Sequence, residues 1–328
     1  MAAALPCCSQ STPQSELFRL IDQTGLLLLN VKASAANYQG REALRITNES
    51  DKDGLALLCD MDFEDGNIEA DIALKITTRP GVRMPGFVGL AFRVCGDASR
   101  YELIYLRPAN STAEDQAMRN HSVQYVSVPE FDWYKLRREW PWVYEAYADL
   151  QTEKWIHILI EVRGRSAKLY LNGSNRASLV VEGLRGQDLH GGVGLWPYPG
   201  EEAYFSNLRI TKVPSVPVKN GSEVAGQWEV KLLTDAGTFD GSLNLRRIDD
   251  KVTGTWNGKL GNSRPVRGIW RGGYVELSFD AQWPSDGLGT PGITTASLAG
   301  WIDDTVASGC VRISERADGR WSARRVNH

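Results

Sequence analysis

Short runs of alternating apolar and polar residues, each stopped by a turn signal, constrain this chain more than any other feature. Ile68-Glu-Ala-Asp-Ile-Ala-Leu74 places apolar residues at 68, 70, 72 and 74 and acids at 69 and 71, the period of a half-buried strand. Val88–Val94 and Arg100–Leu106 flank the turn Gly96-Asp-Ala-Ser99, and Trp155–Val162 and Lys168–Leu171 flank Arg163-Gly-Arg165, two hairpin signals. Val193–Trp196 and Tyr204–Ile210 continue the series. Helical patterning is sparse, with Ser15–Ile21 and Asp132–Arg138 read as short helices.

The series divides in two. Residues 1–14, rich in Ala, Ser, Gln and Pro, are expected to be a disordered tail, and 15–211 to form a β-sandwich. Residues 212–225 are a Pro/Ser/Gly linker. From 226 to 328 eight strand candidates follow: 226–233, 237–246, 251–257, 265–270, 273–281, 295–302, 306–313 and 319–326. Gly and Trp recur within them, as in Gly254 with Trp256 and Gly268 with Trp270. Closing such a sheet into a barrel removes its unpaired edges. The expected class is all-β: a two-sheet jelly-roll sandwich followed by a smaller antiparallel barrel.

Composition excludes several functions. Lys and Arg number 37 against 40 Asp and Glu, a net charge of −3, so no basic surplus exists for a sequence-blind grip on nucleic acid. The apolar run Leu26–Leu29 is four residues long, far short of a membrane span. With no secretory core visible near the start, a cytoplasmic protein is expected. The five cysteines at 7, 8, 59, 95 and 310 are too sparse for a disulfide framework. Cys59, Cys95 and Cys310 are read as small buried thiols. Paired Cys/His motifs are missing, so neither a metal nor a cofactor is expected, and a structural calcium held by Asp and backbone oxygens stays open. Oligomeric state is not encoded legibly.

Phe63-Glu-Asp-Gly-Asn-Ile-Glu-Ala-Asp71, Gly89-Leu-Ala-Phe-Arg93, Trp155–Val162, Lys168-Leu-Tyr-Leu-Asn-Gly173, Gly192-Val-Gly-Leu-Trp196 and Tyr204–Ile210 together resemble the concanavalin A-like lectin/glucanase superfamily, in its laminin G-like and glycosidase-like branch. The resemblance implies a two-sheet sandwich with a concave, often sugar-facing sheet, in a superfamily of lectins, glycosidases, lyases and adhesion modules. Retaining glucanases of that superfamily carry Glu-x-Asp-x-x-Glu. Here Glu69-Ala-Asp71-Ile-Ala-Leu74 lacks the third acid, so Glu69 and Asp71 are read as outward polar residues, and paired-carboxylate hydrolysis is disfavoured. The strand rhythm of residues 226–328 is similar to lipocalin- or avidin-like barrels, with an interior expected to be filled by Trp228, Trp256 and Trp270.

Arg107–Glu145 is a 39-residue excursion between strand pairs, longer than an ordinary connection and of the kind that carries function. It concentrates Arg107, Arg119, Arg137 and Arg138 with Tyr125, Trp133, Tyr134, Trp140, Trp142 and Tyr144, and holds His121. The hairpin turn sets Arg93 opposite Glu102, both as a candidate cleft floor, with Phe92, Val94, Leu103 and Tyr105 on the core face. Either His121 and Tyr125 share a face of the next strand, or Gln124 takes it. Glu102, His121, Tyr125 and Glu145 are the candidate acid/base groups. Arg93, Arg107, Arg119, Gln124, Tyr134, Arg138, Trp142 and Tyr144 are the candidate binding groups, with rings to stack on sugar and Arg or Gln to hold hydroxyls or a carboxylate.

The first expectation is a carbohydrate-directed protein that binds or modifies a glycan or glycoside in a cleft walled by 107–145. An acid/base isomerase, lyase or cyclase on a small molecule is the second, and a noncatalytic interaction module the third. The partner in the first two is a small-molecule or glycan ligand, with neither nucleic acid nor membrane.

Overall fold

A computed structural model of the chain describes residues 14–76, 86–215, 223–271, 273–283 and 292–326. It divides into two compact units, Met1–Val216 and Pro217–His328. Residues 1–13 of the expected tail 1–14, and the middle of the linker, 216–222, lie outside the described residues.

The first unit contains two antiparallel sheets, as expected for a sandwich. In the first sheet the spatial order is Leu179–Val181, Ser166–Leu171, Ile156–Arg163, Gly66–Lys75, Glu202–Lys212, Arg41–Thr47 and Lys32–Tyr38. Gly66–Lys75 alternates as its sequence demands: Ile68, Ala70, Ile72 and Leu74 are buried, and Glu69 and Asp71 point outward. Asp71 meets Arg41 at 2.6 Å and His157 at 3.1 Å there, a surface network and not a catalytic pair. Ile156, Ile158 and Ile160 stand opposite Ile72, Ala70 and Ile68. Burial of each such side chain contributes about 1.5–3 kcal/mol. The start of the helix read at Ser15–Ile21 is instead part of a strand, Gln14–Phe18, paired to Leu208–Lys212. Its backbone completes hydrogen bonds at an exposed edge, which outweighs a weak helical pattern.

In the second sheet the order is Glu145–Ala146, Val123–Val128, Tyr101–Leu106, Val88–Val94, Gly192–Pro197, Leu55–Leu58 and Leu26–Leu29. Its central strands are buried along their whole length, so both faces are covered. On one face Leu90, Phe92, Ile104, Tyr125 and Leu195 join the core shared with the first sheet. On the other a row of paired positions crosses five strands: Trp196, Gly89, Tyr105, Gln124 and Glu145. Gly89 is required in this row, because a Cβ there would lie 2.3 Å from the Ile104 carbonyl oxygen and 2.6 Å from the Tyr105 Cβ.

The excursion 107–145 is not structureless. It holds helices Pro108–Ser111, Gln116–Arg119 and Trp133–Glu139, and strand Val123–Val128. The helix expected at 132–138 forms, with the Asp132 carboxylate capping the Lys135 N–H at 2.7 Å. The cysteines are less buried than expected: Cys59 is exposed, and Cys95 and Cys310 are half-buried. Each of the first two falls just past a strand end, where alternation no longer dictates burial.

The second unit is a closed antiparallel barrel of eight strands, each paired to its neighbours in sequence and the last to the first. They are Gly226–Thr234, Gly237–Ile248, Lys251–Gly258, Gly261–Arg271, Tyr274–Trp283, Gly292–Asp303, Val306–Ile313 and Ala317–Arg325. Trp228, Leu243, Trp256, Phe279 and Trp321 pack in its core, with Trp256 and Phe279 stacked at 4.8 Å. Small residues let the strands close: a Cβ on Gly268 would lie 1.9 Å from the Glu276 carbonyl oxygen, and one on Gly309 at 1.9 Å from that of Ala299. Gly268→Ala is expected to destabilise the barrel by about 1–3 kcal/mol, read as a lower urea midpoint in a tryptophan-fluorescence unfolding curve.

Candidate functional site

The strand Tyr101–Leu106 sends its candidate residues to opposite faces, and two separate polar networks result. The first faces the sandwich interior. Glu102 stands opposite Phe92 and Ser127, not opposite Arg93. Arg93 takes a left-handed φ of 52° and falls out of the ladder as a bulge residue, so the register expected from the turn is shifted by one. Glu102 therefore shares the core face with Phe92 and Ile104, while Leu103 and Tyr105 take the other, the reverse of the expectation. The Tyr125 hydroxyl donates to Glu102 Oε2 at 2.6 Å, and the Gly186 N–H donates to Glu102 Oε1 at 2.9 Å. Tyr144 donates to the Gly183 carbonyl, and Arg185 Nε donates to the Tyr144 hydroxyl at 2.7 Å.

Arg93 pairs with Asp65 at 3.1 Å and donates to the carbonyls of Glu64 and Gly164. Burial pushes the Glu102 carboxyl above the usual carboxylate range, against the pull of Tyr125 and Arg93. Burial, with the Glu102 charge beside it, pushes the Tyr125 phenol up as well. A narrow cleft lined by Arg93, Arg100, Glu102, Arg185 and Asp188 reaches this network, and the Arg100–Asp188 ion pair at 3.0 Å is one of its walls. Most polar atoms in this network are matched within the protein, the pattern of a structural tie between the sheet and segment 183–188.

The second network lies on the opposite face, along the row that ends in Glu145. Arg137 grips Glu145 with two nitrogens, Nε at 2.8 Å and Nη2 at 2.6 Å, a charge-assisted fork. His121 Nδ1 lies 2.8 Å from Glu145 Oε2, off the line of a well-aligned hydrogen bond. The carboxylate favours the proton on Nδ1 and leaves Nε2 as the basic nitrogen. Burial pushes the His121 imidazole below its ordinary value; Glu145 opposes this, and the Arg137 and Arg107 guanidiniums add to it. The imidazole is then neutral at neutral pH, the state a base needs. His121 precedes the strand Val123–Val128 and escapes its alternation, so it joins Gln124, and Tyr125 turns the other way.

Arg107 Nη2 donates to the Tyr105 hydroxyl at 2.6 Å, and its guanidinium lies over the rings of Phe87 and Tyr105 at 4.9 and 5.0 Å. Gln124 Nε2 donates to the carbonyls of Tyr125 and Tyr144. That fixes its amide and leaves Oε1 buried without a hydrogen-bond partner, as is Arg107 Nε. Trp142, 60% exposed, stacks on His121 at 5.8 Å and 11°, and Trp133 lies under Arg137 at 4.9 Å. Both rings border the same patch.

The remaining candidates stand outside it. Arg119 donates to the Ala113 and Glu114 carbonyls within its own turn. Tyr134 is exposed beneath Arg138, which pairs with Glu139 at 2.8 Å. Arg137, Tyr105 and Trp196 were not among the sequence candidates. The row position of Tyr105 follows from the period-two pattern once the register is known, whereas Arg137 is brought to Glu145 by a helix turn that sequence spacing does not reveal.

No protein-family model matches the chain, and no curated protein matches it. Solved structures give partial likenesses. A carbohydrate-binding module from Bacillus subtilis is 18% identical, with a TM-score of 0.38, covering 56% of this chain and 96% of that one. A galectin-like-fold protein of unknown function from Bacillus subtilis is 12% identical, with a TM-score of 0.42, covering 63% and 99%. An endo-β-galactosidase from Clostridium perfringens is 10% identical, with a TM-score of 0.36, covering 99% and 100%. At these values the fold rests on the strand order described above, and the likenesses assign no functional residue.

Two outcomes follow from the networks. Glu145→Gln removes the attraction that opposes the lowering of His121, so the His121 titration midpoint, followed by NMR, is expected to fall further below 6.5. Glu102→Ala strands the Tyr125 hydroxyl and the Gly186 N–H in the interior, and is expected to cost about 2–5 kcal/mol of stability by urea unfolding.

Proposed function

We propose that the protein recognises a carbohydrate on the outer face of its second sheet, at the patch formed by Arg107, His121, Gln124, Arg137, Glu145 and Trp142. The observation that carries this reading is the pair of buried, unpartnered polar atoms, Gln124 Oε1 and Arg107 Nε, beside an exposed tryptophan. Buried polar groups are ordinarily satisfied, so an acceptor and a donor left open together are matched to ligand hydroxyls. Trp142 offers the flat apolar surface on which a sugar ring stacks, and Trp133 extends it.

A second reading, an acid/base isomerase, lyase or cyclase on a small molecule, draws on the same patch. Its support is the Glu145–His121 pair, in which a neutral imidazole backed by a carboxylate can take a proton next to a carbonyl while Arg107 stabilises the charge that develops. Glu102 and Tyr125 have no part in either reading, because they face the interior network. The barrel, read as lipocalin- or avidin-like, is given no ligand here: its interior positions are taken by Trp228, Trp256, Phe279 and Trp321.

Binding to a glycan array followed by calorimetry tests the proposal. Trp142→Ala, at an exposed position, is expected to leave folding intact and weaken saccharide binding about tenfold, and Gln124→Leu to weaken it by about 1–3 kcal/mol. Unchanged affinity in both variants, or no saccharide bound by the wild type, rejects the carbohydrate reading. His121→Ala separates the two readings, since an enzyme loses turnover with binding retained.

A further inference from the structure

We propose that the ligand of the outer-face patch carries an oxyanion, a carboxylate or sulfate, which pairs with Arg107. The inference rests on the reading of that patch as a ligand site and adds the charge of what it binds. Arg107 is 4% exposed and forms no ion pair among the described residues. Its contacts are a phenol hydroxyl, the His121 carbonyl at 3.4 Å, and the faces of two rings. A ring quadrupole attracts a cation but does not neutralise it. The residues of this unit that are not described, 1–13, 77–85 and 216, contain neither Asp nor Glu, so they supply no counter-charge.

Other cations of this unit differ: the buried Arg93 has Asp65 at 3.1 Å, and the half-buried Arg137 has Glu145. Within the patch two guanidiniums face one carboxylate, which Arg137 and His121 already engage, and His121 adds no negative charge. A buried cation without a counter-ion is costly, and its Nε–H is enclosed without a hydrogen-bond partner. An arriving oxyanion supplies both the charge and the acceptor, and a planar carboxylate suits the guanidinium fork. Gln124 Oε1 can only accept, so a hydroxyl matches it and an oxyanion does not, which favours an anion borne on a polyhydroxylated body over a bare ion.

Calorimetry of the full chain against uronate oligosaccharides, their carboxyl-reduced neutral counterparts, sulfated galactan oligosaccharides and sodium acetate tests this. An acidic saccharide is expected to bind about 30-fold or more tightly than its neutral counterpart. Arg107→Met removes that preference, and Arg107→Lys, which keeps the charge and loses the fork, retains part of it. The uronate and sulfate arms distinguish the two sources of the oxyanion. Neutral counterparts binding as tightly as the acids overturn the oxyanion and leave the carbohydrate reading standing. Arg107-dependent acetate binding with no saccharide bound supports the oxyanion and overturns the carbohydrate. Binding of none of the probes overturns both. Should Arg107→Met fail to fold, the acid-to-neutral affinity ratio of the wild type decides alone.

Discussion

The strand Tyr101–Leu106 is buried on both faces, and the rest of the site depends on that constraint. A strand buried on one side alone would leave its second row in water, where a guanidinium and an amide are solvated and cheap. Here one row enters the core shared by the two sheets, and the other carries Tyr105, against which Phe87, Trp196 and the Arg107 guanidinium pack. Polar groups in either row must then find partners or remain open at a cost. The inner row finds most of them in segment 183–188 and its neighbours, with Arg93 Nη1 left over. The outer row does so only in part, and the groups left open mark the patch.

Two kinds of buried charge follow from this arrangement. Arg93 leaves the ladder at a left-handed residue and gathers carbonyls and Asp65 around itself. Glu102 is held by a phenol and a backbone N–H. These groups resemble pins that fix one packing of the two sheets. Arg107 and Gln124 have incomplete partners, and the Glu145–Arg137–His121 cluster next to them is rigid, because a fork and a stacked ring hold it. Rigid neighbours around open groups are what pre-organised recognition needs.

Much of the fold was legible from sequence because period-two alternation and turn residues act locally. The eight barrel strands, the alternation at 68–74, the outward Glu69 and Asp71, and the capped helix after Asp132 all follow from neighbouring residues. The concentration of Arg and aromatic side chains in 107–145 was legible too. The division of these residues between two faces was not. A single bulge at Arg93 shifts the hairpin register, and a one-residue shift exchanges the faces of every side chain beyond it. The strand Gln14–Phe18 was misread for a related reason: its partner lies nearly 200 residues away, as in the pairing of Ser15 with Thr211.

By itself, the sequence determined an all-β chain in two segments and the stretch in which unusual chemistry is concentrated, since hydrophobic period and turn chemistry are written in adjacent residues. Only the tertiary structure decided which polar groups meet. Glu102 with Tyr125, and Glu145 with Arg137 and His121, are contacts between strands, turns and a helix whose register and placement depend on packing across the whole sandwich. The open state of Arg107 and Gln124 is likewise a property of what surrounds them, because a missing partner can be recognised only after every neighbour has its place.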